Sequence, residues 1–153
     1  MYDERFMREA LTLASEAASE GEVPVGAVVV RGDEIVGRGY NRREGAKNAL
    51  AHAELMAIDD ACRRLGGWRL WQCDLYVTLE PCPMCAGAII NSRIQNVYYG
   101  AKDQKAGSVG SLTNLFELQY NHKPTVVSGV LEEECSAILS DFFKKLREKK
   151  QNS

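Results

Sequence analysis

In the stretch TLEPCPMCAG, Cys82 and Cys85 stand three residues apart behind Pro81, and upstream the segment AHAE places His52 two residues before Glu54. These four side chains are the ones whose types and spacing fit a reaction. Residues i and i+3 share a helical face, so both sulfurs can meet one ion if a helix begins at the proline. A helix N-terminus lowers thiol pKa, and the thiolate is the metal-binding form. Three readings compete: a thioredoxin-type redox pair, half of a structural zinc site, and part of a catalytic centre. The redox reading gives His52 no role. One His and two Cys make three protein ligands, which leaves zinc's fourth tetrahedral position to water, the pattern of catalytic sites; structural sites close with four protein ligands. Cys62, Cys73, Cys135 and His122 lack the spacing of a second ligand pair, and the three cysteines are expected to be small buried hydrophobes. Two positions along a helix span about 200°, so Glu54 and His52 diverge within a helix and converge only in its very first turn. There Glu54 would move protons at the zinc-bound water without binding the metal. The plainer alternative is a glutamate placed for the helix dipole.

The elements around these residues alternate. Phe6, Ala10, Leu13 and Ala17 mark an amphipathic helix over residues 3–20, ended at Gly21. VPVGAVVVRGDEIVGRGYN predicts two strands joined by a tight Gly32-Asp33 turn, and residues 43–50 a polar loop. AHAELMAIDDACRRLGG predicts a helix closed by Gly66 and Gly67, CDLYVTL a strand, PMCAGAIINSR a short apolar helix and IQNVYYGA a strand. A Gly- and Ser-rich loop over 103–112 precedes a short apolar turn, LTNLFEL. PTVVSGVL predicts a fifth strand, and EEECSAILSDFFKKLREKK a final helix with acids first and bases last. Only the last few residues read as disordered. The expected fold is a three-layer α/β/α domain spanning residues 1–153, with a central mixed five-stranded sheet.

Composition narrows the class. The chain has 153 residues, 45% of them hydrophobic and 26% charged, and no apolar run of membrane-spanning length. The charged start MYDERFMREA lacks a signal-peptide core, and five cysteines are an odd number, so thiols are expected to act as ligands or core residues in an intracellular, cytoplasmic setting. A net charge of −2 exerts no general pull on nucleic acid, so such a partner needs a local basic patch.

His-x-Glu followed by Pro-Cys-x-x-Cys resembles the signature of zinc nucleobase deaminases. The segments GEVPVGAVVV, AHAE, LYVTLEPCPMCAGAIINSRI, YYGAKDQKAGSVGSL, GVLEEEC and LSDFFKKLR extend the resemblance over nearly the whole chain, and the LYVTLEPCPMCAGA run and LSDFF ending are similar to the bacterial tRNA-specific adenosine deaminases. One departure is Ala49-Leu50 before the His, where that family commonly has Pro-Thr. The resemblance implies a cytidine-deaminase-like fold, a homodimer, one zinc per subunit held by His52, Cys82 and Cys85, and Glu54 as proton shuttle. It implies conversion of the wobble adenosine of a tRNA anticodon stem-loop to inosine. It also carries Asn41 and Val23 over as nucleoside contacts, and Asp103 and Lys105 as RNA contacts.

Residue chemistry adds a basic-aromatic helix end. Phe142, Phe143, Lys144, Lys145, Arg147, Lys149 and Lys150 suit base stacking beside phosphate attraction. The alternative is that one Phe packs in the core, since Ile138-Phe142 and Leu139-Phe143 are both spaced i,i+4, and that the lysines merely solvate a helix end. Two other functions fit parts of the sequence. A deaminase of free bases or nucleosides would share the zinc motif and need no basic helix end. A non-catalytic zinc-stabilised module would need no free Glu54.

Overall fold

The computed structural model describes residues 1–152. The elements run α1 (Glu4–Ser19), β1 (Gly26–Arg31), β2 (Glu34–Tyr40), α2 (Arg43–Ala46), α3 (Ala53–Leu65), β3 (Cys73–Leu79), α4 (Pro83–Ser92), β4 (Asn96–Ala101), β5 (Thr125–Val127) and α5 (Glu132–Gln151), with a 3-10 turn at Leu115–Glu117. One five-stranded sheet has the order β2-β1-β3-β4-β5. β1 is antiparallel to both β2 and β3, whereas β3, β4 and β5 are parallel. The mixed sheet is as expected, and the Gly32-Asp33 turn joins β1 to β2.

Alternation along the strands sorts the core into two layers. Ala27, Val29, Leu75, Val77 and Val97 face α3 and α4, meeting Ala57, Ala61, Ala86 and Ile89. Val28, Val30, Tyr76 and Tyr98 face the other way, against Phe6, Met7 and Ala10 of α1 and Cys135 of α5. Cys73 and Cys135 are buried as expected of small hydrophobes, and Cys62 is half-buried against the first layer.

Three sequence expectations are corrected. The 43–50 segment is not all loop: α2 forms there, capped by Lys47 in the left-handed region. β5 covers only Thr125–Val127, because Gly129 and Leu131 take positive φ and turn the chain into α5. Neither Phe142 nor Phe143 belongs to the core; Phe142 is half-buried, Phe143 exposed, and Cys135 is the buried residue of α5. α5 continues to Gln151, and Ser153, within the tail expected to be disordered, lies outside the described residues.

α3 lies directly on β2 at two glycines. A Cβ at Gly37 would stand 2.3 Å from the Ala57 carbonyl oxygen, and one at Gly39 2.4 Å from that of Ala53. Gly39 therefore lets the first turn of α3 sit where it does. Gly39→Ala should cost about 1–3 kcal/mol by overpacking and reduce zinc loading, because it displaces the turn that begins at His52. Thermal unfolding and metal content of the purified variant check both effects.

Candidate active site

Two helix starts face each other across the site. His52 is the N-cap of α3, with extended backbone (φ −80, ψ 152), and Cys82 is the N-cap of α4 (φ −76, ψ 175), followed by Pro83. Neither side chain makes a capping hydrogen bond to its helix; both are turned to the site instead. Because His52 stands before the first helical residue, the 200° separation of a helix interior does not apply to it and Glu54. His52 Nδ1 lies 3.6 Å from Cys82 Sγ and 3.6 Å from Cys85 Sγ. All three donor atoms lie within 4.8 Å of one another.

That triangle has the dimensions of a zinc site. Zn–N and Zn–S bonds of about 2.0 and 2.3 Å at a tetrahedral angle set nitrogen and sulfur about 3.5 Å apart, close to the spacing found. The donor chemistry agrees. The hydrogen bond from Cys85, with help from His52, draws the Cys82 thiol down to about 4, and that same bond together with burial pushes Cys85 upward. The bond to Cys82 raises His52 despite burial. Two sulfurs and an imidazole thus crowd around shared protons, which a divalent cation can displace.

Glu54 is 4% exposed and stands beside this triangle, in the wall of the same cavity as His52 and Cys82. Burial pushes its carboxyl up to about 7, against the pull of its own backbone N–H. A carboxyl poised near neutrality can both accept and return a proton.

The cavity measures about 550 Å3. Val23, Asn41, Asp103 and Lys105 all line it, as does Phe143. Phe142 and Arg147 do not; Phe142 packs edge-on to Phe143, centroids 5.4 Å apart. Asn41 is buried, donating from Nδ2 to the Val23 carbonyl (3.1 Å) and accepting the Arg43 N–H (3.2 Å). Asp103 Oδ1 accepts the N–H groups of Lys105 and Ala106, so this side chain first shapes its own turn.

Two further buried glutamates stand outside the His-x-Glu and Pro-Cys-x-x-Cys motifs of the sequence. Glu22 accepts the N–H groups of Glu44 (3.0 Å) and Gly45 (2.6 Å), fastening α2 beside the cavity. Glu80, between Leu79 and Pro81, accepts four hydrogen bonds from the 103–111 loop. Burial raises Glu80, but the Ser111 hydroxyl and three backbone N–H groups outweigh it and hold the carboxyl below the usual range. Glu80, Lys102, Gln104 and Leu139 also line the cavity, beyond the contacts the sequence pointed to. The sequence offers one clue: Glu80 is an acid directly after the β3 strand, between Leu79 and the Pro81 that leads into the cysteine motif.

The sequence profile of the MafB19-like deaminases matches residues 1–147. A tRNA-specific adenosine deaminase of Bacillus subtilis (strain 168) is 54% identical over 150 residues, which are 97% of this chain and 93% of that protein. A solved structure from studies of A-to-I editing by tRNA:A34 deaminases at the wobble position of transfer RNA superposes with a TM-score of 0.87 at 45% identity, covering 90% of this chain and 100% of that chain. The two share the cytidine-deaminase-like three-layer fold. A guanine deaminase from Bacillus subtilis superposes with a TM-score of 0.63 at 32% identity, covering 79% of this chain and 88% of that one.

Proposed function

The chain belongs to the tRNA-specific adenosine deaminases, within the MafB19-like deaminase family, and from that premise we propose that it converts the wobble adenosine of a tRNA anticodon loop to inosine. The observation that carries this reading is the pairing of the His52–Cys82–Cys85 triangle with buried Glu54 in one cavity. His52, Cys82 and Cys85 would hold one zinc per subunit. Zinc bound there supplies the Lewis acidity that makes water a nucleophile at neutral pH. The chain's own residues do the rest. Glu54 takes a proton from the attacking water and passes it to a ring nitrogen; it then takes the proton of the hydroxyl added to the amine-bearing carbon and hands it to the amino group, which leaves as ammonia. Asn41 and Val23 orient the nucleoside in the cavity.

Substrate size follows from what surrounds the cavity. A wobble base lies in a loop and can be splayed out at low unpairing cost, with flanking nucleotides docking beside the pocket. Phe143 reaches that rim, and beyond it Lys144, Lys145, Arg147 and Lys149 are exposed along α5. The chain's net charge of −2 leaves attraction of RNA to such a local cluster. Asp103 and Lys105 line the same cavity. The working unit we propose is a homodimer acting in the cytoplasm, its oligomeric state to be read by sedimentation. Among the described residues, no helix is long and apolar enough to cross a membrane.

Incubation with an anticodon stem-loop and, separately, with free adenosine and free guanine tests the reading. Inosine in the stem-loop and no ammonia from the free compounds is the expected result; ammonia from the free compounds alone would make this a small-molecule deaminase. Truncation after Phe143 should weaken stem-loop binding and flatten its salt dependence by about 0.7 in log–log slope for each lost phosphate contact, with zinc retained. Phe143→Ala should cost about 1–3 kcal/mol of binding at every salt concentration, if a base stacks there. Fluorescence titration over a salt series measures both.

A further inference from the structure

We infer that Glu80 is a positioning residue for the substrate: its carboxylate folds the 103–111 loop onto the turn that carries Cys82, holding the Asp103 and Lys105 wall in register with the ligand triangle. The inference rests on the functional reading above and assigns a part to a side chain that lines the cavity but takes no part in the proton transfers. Glu80 Oε1 accepts the Asp103 N–H (3.1 Å) and the Ser111 hydroxyl (2.5 Å); Oε2 accepts the N–H groups of Val109 (3.3 Å) and Ser111 (2.9 Å). The partners span the loop from end to end, and all four are donors. Glu80 is only 2% exposed, so water is not an alternative partner for it.

The rest of the loop is fitted around this carboxylate. A Cβ at Gly107 would lie 2.4 Å from Glu80 Cδ and 2.5 Å from both its Oε1 and the Asp103 carbonyl oxygen, so the loop folds on itself and closes over the group only because residue 107 has no side chain. On either side the backbone is tied to the same turn: the Ser108 N–H donates to the Pro81 carbonyl (2.9 Å), and the Glu80 N–H to the Ala101 carbonyl (2.9 Å). Only Pro81 separates Glu80 from the Cys82 ligand position. One carboxylate therefore spans the short distance between the group that holds the metal and the loop that walls the cavity. The loop has little regular structure to hold it otherwise, apart from a single bridge between Val109 and Asn114.

Four converging donors require a carboxylate. An amide has one oxygen and turns its NH2 toward donors, leaving buried N–H groups unpaired. In zinc-loaded Glu80→Gln, KM for an anticodon stem-loop should rise about tenfold or more, while kcat changes less than about threefold, because bound substrate still meets intact Glu54. Amide hydrogen exchange should accelerate across 103–111 and stay unchanged in β3 and α4. Gly107→Ala, which pushes loop and carboxylate apart with the acid retained, should produce the same KM rise. The two changes together should cost less than the sum of the two alone, since both break the contact between the loop and the carboxylate, and Gly107→Ala adds a clash with the Asp103 carbonyl. Ser111→Ala removes only the hydroxyl bond and should have a smaller effect. A KM unchanged in both Glu80→Gln and Gly107→Ala would overturn the inference, as would a fall in kcat at constant KM, which would place Glu80's influence on the chemical step. If Glu80→Gln does not fold, Gly107→Ala and Ser111→Ala decide. A wild-type protein that makes no inosine in the stem-loop overturns the functional reading instead; the anchor itself then stands or falls on loop exchange, which unchanged protection in Gly107→Ala would refute.

Discussion

Glu54→Gln should lower deamination of an anticodon stem-loop by about 10²–10⁴-fold, the usual contribution of a positioned general acid-base, while zinc content and fold are kept. Glutamine matches glutamate in shape, so the Glu54 pocket is not emptied. It cannot accept the proton of attacking water, and here one group serves successive transfers. The variant should be at least as stable as the wild type. Burial holds the Glu54 carboxyl up at about 7, so its charged form is costly, whereas a neutral amide is less costly to bury. The diagnostic combination is normal metal content, normal or raised melting temperature, near-normal stem-loop affinity and lost turnover. Wild-type rates in a zinc-loaded variant would reduce Glu54 to a helix-dipole charge.

Loss of one metal ligand should be equally severe by a different route. Cys85→Ser and His52→Ala should each deplete zinc and lower the rate on the order of 10³-fold or more, since Lewis acidity contributes several kcal/mol. The same substitution at Cys62 should leave metal and rate intact, because Cys62 is only a half-buried core neighbour. Cobalt substitution gives a readout independent of turnover. Charge-transfer intensity fitting two thiolates is expected in the wild type and one in Cys85→Ser. A third thiolate in the wild type would contradict the three-ligand set. Chelation should reproduce the loss of activity in the wild type, with recovery on adding zinc back.

Local spacing alone determined several features of this protein. His-x-Glu and Pro-Cys-x-x-Cys each operate within one helical turn, so the helix starts at Ala53 and Pro83 and the inward aim of the cysteines follow from sequence distances of three residues or fewer. Apolar runs rich in β-branched and aromatic residues, AVVV and CDLYVTL, located strands, and the acid-to-base gradient located α5. The convergence of the two motifs was not local. It depends on β1 pairing antiparallel with both β2 and β3, and on Gly37 and Gly39 letting α3 lie close on β2, which brings the α3 and α4 starts together on one face. Glu22 and Glu80 were hidden for a related reason. Their backbone partners lie more than twenty residues away in the chain, and a lone acid whose donors are backbone N–H groups leaves no pattern in side-chain types. α2, four residues long, has no periodicity to read, and Glu22 accepts two of its N–H groups. At the helix end, i,i+4 spacing fixed a shared stripe for Leu139 and Phe143 but not what that stripe faces. Only the packed chain decided that Phe143 reaches the cavity rim while Phe142 packs edge-on beside it, because helical periodicity sets relative direction, and the direction of the neighbouring layer is a tertiary fact.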